Sequence, residues 1–147
     1  MKIAIASDHA GFEMKEKVKN FLKELGYEFE DFGTQNKKPI DYPEFALKVA
    51  DAVSKNLCER GILFCGTGIG MSIAANKVPG VRAVLCYDVK TAKLSREHND
   101  ANVLTLGARI IEIEKAEEII TVWLETDFLG ERHSKRIEKI EEIEKKI

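Results

Sequence analysis

The densest chemistry in the chain is the run Cys65-Gly66-Thr67-Gly68-Ile69-Gly70, a thiol followed by alternating glycines. Such glycines let a backbone turn sharply and aim successive N–H groups at one point, and a helix starting there adds partial positive charge. The turn would stabilise an anion or a developing oxyanion. It would also favour the thiolate form of Cys65, a usable base or nucleophile. The competing reading is a small buried cysteine beside a tight turn. The glycine loop decides for the chemical one.

Three further groups could act with it. Asp8-His9 is followed by Gly11 and a helical segment, so the pair either holds a sugar hydroxyl or a phosphate, or caps the helix beside a solvated histidine. His98-Asn99-Asp100 precedes an apolar run in a loop position, where a histidine can work as acid and base near neutrality or simply face water. Arg132 and Arg136 are four apart on a helix, which puts both guanidinium groups on one face. That face suits forked hydrogen bonds to a phosphate, or is a charged solvent face. Arg109 is open to the same two readings. Tyr42, beside Pro43 in a loop, is the aromatic placed nearest a ligand.

The glycine run also invites a dinucleotide reading, with Asp88 near the position of a ribose-binding acid. Against it, the loop follows the third strand rather than the first, lacks the GxGxxG spacing and leads into a very short helix. The anion-stabilising turn beside Cys65 is preferred.

These residues need elements to position them, and the apolar pattern supplies an alternation of strands and helices. Ile3 to Ala6, Phe29 to Phe32, Ile62 to Cys65, Val81 to Cys86 and Val103 to Leu106 read as strands. Met14, Val18, Phe21, Leu22 and Leu25 recur at helical spacing and stop at Gly26, a C′ glycine. Phe45, Val49, Ala52 and Val53 mark a second helix, and further helices are expected to about Asn76, over Thr91–Glu97, over Glu114–Leu124 and from about 131 to 147. Five buried strands interleaved with helices predict an α/β fold, a five-stranded parallel sheet covered on both faces. In such sheets ligands bind at the carboxyl ends of strands, where Asp8 and Cys65 sit.

With 147 residues and no Pro/Ser linker, internal repeat or low-complexity block, one domain over 1–147 is expected. The last helix differs from the others. Ile137, Ile140, Ile143 and Ile147 form a thin seam among charges, and a partner subunit is its favoured cover. Apolar residues at 44% and charged ones at 33% describe a soluble globular chain. A formal net charge of −2 gives no basic field for nucleic acid or an acidic membrane, so any anion site must be local. Three cysteines without a CxxC pair argue against a disulfide framework or a zinc site, and no metal site is expected. The apolar run before Asp8 is too short for a signal peptide and no stretch reaches membrane-spanning length, so a cytoplasmic protein is expected.

Taken in order, SDHAG (Ser7–Gly11), GT…DYP (Gly33–Pro43), CGTGIG (Cys65–Gly70), IAANK (Ile73–Lys77), SREHNDANVL (Ser95–Leu104), GAR (Gly107–Arg109) and GERHSKRI (Gly130–Ile137) span nearly the whole chain. Together they resemble type B ribose-5-phosphate isomerases, in the family that also holds galactose-6-phosphate and allose-6-phosphate isomerases. The resemblance implies a Rossmann-like three-layer sandwich and a homodimer, or dimer of dimers, with active sites shared between subunits. It implies interconversion of ribose 5-phosphate and ribulose 5-phosphate through an enediolate, with no cofactor. Cys65 would be the base, His98 would open the sugar ring and Thr67 would assist. Gly66, Thr67, Gly68, Ile69 and Gly70 would hold the enediolate oxygens. Asp8, His9, Tyr42 and Asn99 would contact the sugar, and His9, Arg109, Arg132 and Arg136 the phosphate. His98, Asn99 and Arg109 are expected from the second subunit. Some relatives carry a glutamate base shortly after the glycine loop; Met71-Ser72-Ile73-Ala74 here, with Cys65 kept, implies the thiolate version. A hexose-6-phosphate isomerase and a non-catalytic sugar-phosphate-binding module are the alternatives.

Overall fold

The computed structural model describes residues 1–147. Its elements are β1 (Lys2–Ser7), α1 (Phe12–Glu24), β2 (Glu28–Asp31), α2 (Pro43–Ser54), β3 (Arg60–Cys65), α3 (Ile69–Ala75), β4 (Ala83–Leu85), α4 (Val89–Asn99), β5 (Val103–Gly107), α5 (Ile113–Glu125) and α6 (Arg132–Glu144). The five strands pair in the order β2-β1-β3-β5-β4, every pair parallel. A parallel sheet needs cover on both faces, and the period-2 alternation of its strands provides two cores. Ile3, Ile5, Ile62, Phe64, Leu104 and Leu106 point to the layer of α1, α4 and α5. Ala4, Ala6, Leu63, Cys65 and Val103 point to the layer of α2 and α3. The result is the expected Rossmann-like three-layer sandwich.

The ends of several elements differ from the pattern-based expectation. β4 is only three residues long because Val81 is taken by a turn, its N–H donating to the Val78 carbonyl at 3.2 Å. On the outer side of β4 the Asn76 side chain donates to the Ala83 carbonyl at 2.9 Å and accepts from its N–H at 2.8 Å, blunting an open sheet edge. α4 runs two residues further at each end than expected. Asp88 starts it, its Oδ1 accepting the Thr91 N–H and hydroxyl, both at 2.7 Å. Asp100 stops it in the left-handed conformation, φ 47°, which Asp tolerates better than most residues. His98 and Asn99 therefore lie in the last helical turn, not in a loop.

In α6 only Ile137 of the isoleucine seam is buried, while Ile140, Ile143 and Ile147 are exposed. Among the polar residues buried without notice in the pattern, Lys15 matters most for the site's frame. Lys15 is fully enclosed, donating to Asp31 Oδ2 at 2.6 Å and to the Thr34 carbonyl at 2.8 Å. It ties α1 to the carboxyl end of β2.

Candidate active site

From β1 the chain passes to β2 on one side, then returns across β1 to β3 on the other. The loops after β1 and β3 therefore diverge, and a crevice opens between them at the carboxyl edge. It is a cleft of about 460 Å³ lined by Asp8, Tyr42, Cys65, Gly66, Thr67, Ile69, Gly70, Ile73 and Arg109. Cys65 ends β3 and sits at its floor, 5% exposed.

The local geometry follows from the glycines. Gly68 has φ +81°, a conformation that L side chains rarely adopt, and it turns its N–H onto the Cys65 sulfur at 3.1 Å. A donor aimed at sulfur stabilises negative charge there. Gly70 is where the Tyr42 ring packs; a β-carbon at this position would collide with the ring and its hydroxyl. Thr67 Oγ1 accepts the Ile69 N–H at 3.2 Å, and its carbonyl accepts from the Tyr87 hydroxyl at 3.2 Å. On the other wall, Asp8 Oδ1 accepts the Gly11 N–H at 3.1 Å, so the carboxylate is held in place by the turn into α1. His9 Nδ1 lies 3.1 Å from the Ile40 amide nitrogen and 3.3 Å from its carbonyl oxygen, contacts that tie the ring to the loop before α2 and leave Nε2 without a protein partner. Arg109 also belongs to this cleft: its Nη1 would lie 3.3 Å from a β-carbon on Gly66. Within one chain the turn after β5 already brings Arg109 to this cleft, where the resemblance implies it from a second subunit.

The remaining expected residues gather elsewhere. α4 starts beyond the carboxyl end of β4 and ends before the amino end of β5. At 11 residues it runs about 16 Å back along the sheet, which puts His98 and Asn99 at the amino edge. α6 starts at the same edge, where the Leu129 N–H donates to the Glu97 carbonyl at 3.1 Å. Arg132 and Arg136 project from its first turns, both exposed. The His98 turn is clamped by two arginines. Arg96 Nη1 donates to Asp100 Oδ1 at 2.8 Å and to the Ala101 carbonyl at 2.6 Å, and Arg82 Nε donates to the Asn99 carbonyl at 3.1 Å. His133, which the sequence reading passed over, stacks on His98 with ring centroids 4.3 Å apart. Its only sequence signal was its place between the two arginines.

Two competing sites fail on chemistry. Asp88 is an N-cap, and the Thr91 N–H and hydroxyl hold its carboxyl below the usual range, so it is not a free ribose acceptor. A shallower groove between α1, α4 and α5 is lined by Glu114, Glu117 and Glu118 beside Phe21, a field that repels phosphate.

Comparison with known proteins fits the cleft. The Ribose/Galactose Isomerase family model matches residues 3–140. The chain belongs to that family. Ribose-5-phosphate isomerase B of Escherichia coli is 46% identical over 145 residues, covering 99% of this chain and 97% of that protein. The structure of Clostridium thermocellum ribose-5-phosphate isomerase B superimposes with TM-score 0.98 at 54% identity, covering 99% of each chain. That of the Mycoplasma genitalium ribose-5-phosphate isomerase B with bound ribulose-5-phosphate gives TM-score 0.95 at 43% identity, over 99% of this chain and 97% of that one. A dinucleotide-binding role has no place in this family assignment. No helix is long and apolar enough to cross a membrane.

Proposed function

We propose that the chain interconverts ribose 5-phosphate and ribulose 5-phosphate, with Cys65 as the base that moves a proton between C2 and C1. The observation that carries this reading is the Cys65 sulfur at the floor of an open cleft, under the Gly68 N–H at 3.1 Å. Relatives that share the whole chain's length are named ribose-5-phosphate isomerase B, and one of them was solved with ribulose-5-phosphate bound.

The reaction starts from a furanose, so the ring opens first. His98 protonates ring oxygen O4 while the C1 hydroxyl releases its proton to water, which frees the aldehyde. The Cys65 thiolate then takes the C2 proton. Negative charge moves to O1, where the N–H groups of the Gly66–Gly70 turn stabilise it, with Thr67 assisting. A proton passes from O2 to O1, the thiol returns its own proton to C1 and the ketose forms; no atom is gained or lost. Asp8, Tyr42 and Asn99 hold the hydroxyls. His9, Arg109, Arg132 and Arg136 hold the phosphate, whose binding energy fixes the reacting carbons.

His98, Asn99, Arg132 and Arg136 reach this cleft from a second copy of the chain. Within one chain they stand at the far edge of the sheet, so an antiparallel pairing of two copies completes two identical sites. The exposed Ile140 and Ile143 of α6 and Ile147 just beyond it supply apolar surface for that contact, and Ile69 and Ile73 border the cleft itself. The arrangement is a homodimer, alone or within a dimer of dimers, and the fold over 1–147 is its one domain.

Exchange of substrate hydrogen with deuterated water tests the reading. The protein converts ribose 5-phosphate and labels the product at C1, and Cys65→Ala loses at least ~10²–10⁴ of that rate while still binding phosphate. Near-normal turnover in Cys65→Ala removes the mechanism. Saturable binding with no exchange in the wild type returns the chain to a binding module. The family description also names galactose, so kcat/KM for galactose and allose 6-phosphates is measured beside ribose 5-phosphate.

A further inference from the structure

The imidazoles of His98 and His133 lie face to face, with planes 15° from parallel and centroids 4.3 Å apart. His133 has no part in the steps above, yet it is buried, 5% exposed, in the first turn of α6. The backbones that carry the two rings are tied together by the Leu129 N–H to the Glu97 carbonyl. A histidine in the last turn of a helix otherwise rotates freely about χ2, and a ring displaced by ~1 Å from a reacting atom costs on the order of 10² in rate. A flat buried partner removes that rotation.

From this geometry we infer that His133 is a positioning residue for ring opening: it fixes the plane of His98 so that one imidazole nitrogen meets the ring oxygen of a sugar in the partner subunit's cleft. The inference rests on the function proposed above. The charges that face His133 are His98 on α4, Arg132 and Arg136 on its own helix and Glu131 in the turn before it. Desolvation, then His98, Arg132 and Arg136, hold its pKa below the ordinary histidine value.

The test separates ring opening from the proton transfer that follows it. Ribulose 5-phosphate cannot close a furanose ring because O5 carries the phosphate, so exchange of its C1 hydrogen with deuterated water bypasses the step. His133→Leu is expected to lower kcat for ribose 5-phosphate by about 10- to 100-fold while C1 exchange from ribulose 5-phosphate stays within about twofold of wild type. His133→Phe, which keeps a flat ring, restores most of the loss; should the leucine variant not fold, His133→Asn takes its place. Equal losses in both reactions, no loss in either, or a phenylalanine variant as poor as the non-aromatic one overturns the inference. A wild type without C1 exchange, or a His98→Asn variant with intact isomerisation, overturns the parent reading first and this one with it.

Discussion

Cys65 and His98 stand at opposite edges of the same parallel sheet. Cys65 ends β3 at the carboxyl edge, and His98 ends α4, the helix that carries the chain back to the amino edge before β5. Topology alone enforces this, since every crossover in a parallel sheet returns the chain to the start of the next strand. Under the proposed mechanism, a proton-transfer group at Cys65 and a ring-opening group at His98 would meet only between two copies of the chain.

Complementation follows directly. Cys65→Ala and His98→Ala are each expected to be nearly inactive alone. When the two are unfolded together and refolded, mixed dimers hold one site with both residues intact. Random pairing of equal amounts makes half the dimers mixed, so roughly a quarter of wild-type activity returns. A mixture shown by mass to contain mixed dimers, yet with no recovered activity, would rule out a shared site.

The three thiols are almost equally buried but not equally reactive. Desolvation pushes the Cys58 and Cys86 thiols up, whereas Cys65 opens on the cleft with an N–H donor at its sulfur. Iodoacetamide at pH 8 is expected to label Cys65 first, with activity lost in proportion, and ribose 5-phosphate to slow both. Peptide mapping that finds Cys86 modified before Cys65 contradicts the assignment.

Much of this was legible in the residues, and the misses share a cause. The strands were readable because their apolar runs are continuous, and Cys65–Gly70 because a glycine turn has few other uses. The end of α4 was not: its sequence is polar, and its stop depends on Asp100 adopting a left-handed conformation held by Arg96 from within the helix and Arg82 from outside it. The stacking of His133 on His98 joins residues 35 apart through the packing of α6, which no local spacing reveals. The place of Arg109 at the cleft of its own chain was not legible, because the resemblance carries a residue's role but not the path of the turn that delivers it. Lys15 hid for the opposite reason. It lies three residues before Val18 and seven before Leu22 on the buried stripe of α1, where a charge reads as an interruption rather than as core.

Arg136 provides a check on the phosphate clamp. Its guanidinium is exposed in the isolated chain, so removing it leaves no buried partner unpaired. A hydrogen bond to a charged group is worth about 1.5–3 kcal/mol, so Arg136→Ala is expected to raise KM for ribose 5-phosphate about 10- to 100-fold. Arg136→Lys recovers only part of it, because an ammonium lacks the forked geometry. The unfolding midpoint should hardly move. An unchanged KM would mean a solvent-facing charge.

The buried ion pair below β2 sets the acid limit of the fold. Burial of Asp31 opposes its ionisation, but hydrogen bonds from Lys15, Lys19 and the Gly33 N–H outweigh that and hold its carboxyl below the usual range. A carboxylate that titrates lower when folded than when unfolded binds fewer protons in the native state, so it stabilises the fold above the unfolded value of about 3.9. That stabilisation is lost as pH falls through the lower folded value. Urea midpoints measured from pH 7 to pH 2 are expected to drop most steeply below about pH 4, and Asp31→Asn, weaker at pH 7, to show a flatter acid limb. Lys15→Met strands part of the Asp31 charge, and Lys19 still pairs with it at 2.8 Å, so the loss at pH 7 falls toward the lower end of about 3–5 kcal/mol. Parallel acid limbs for wild type and Asp31→Asn would show that another carboxylate governs acid unfolding.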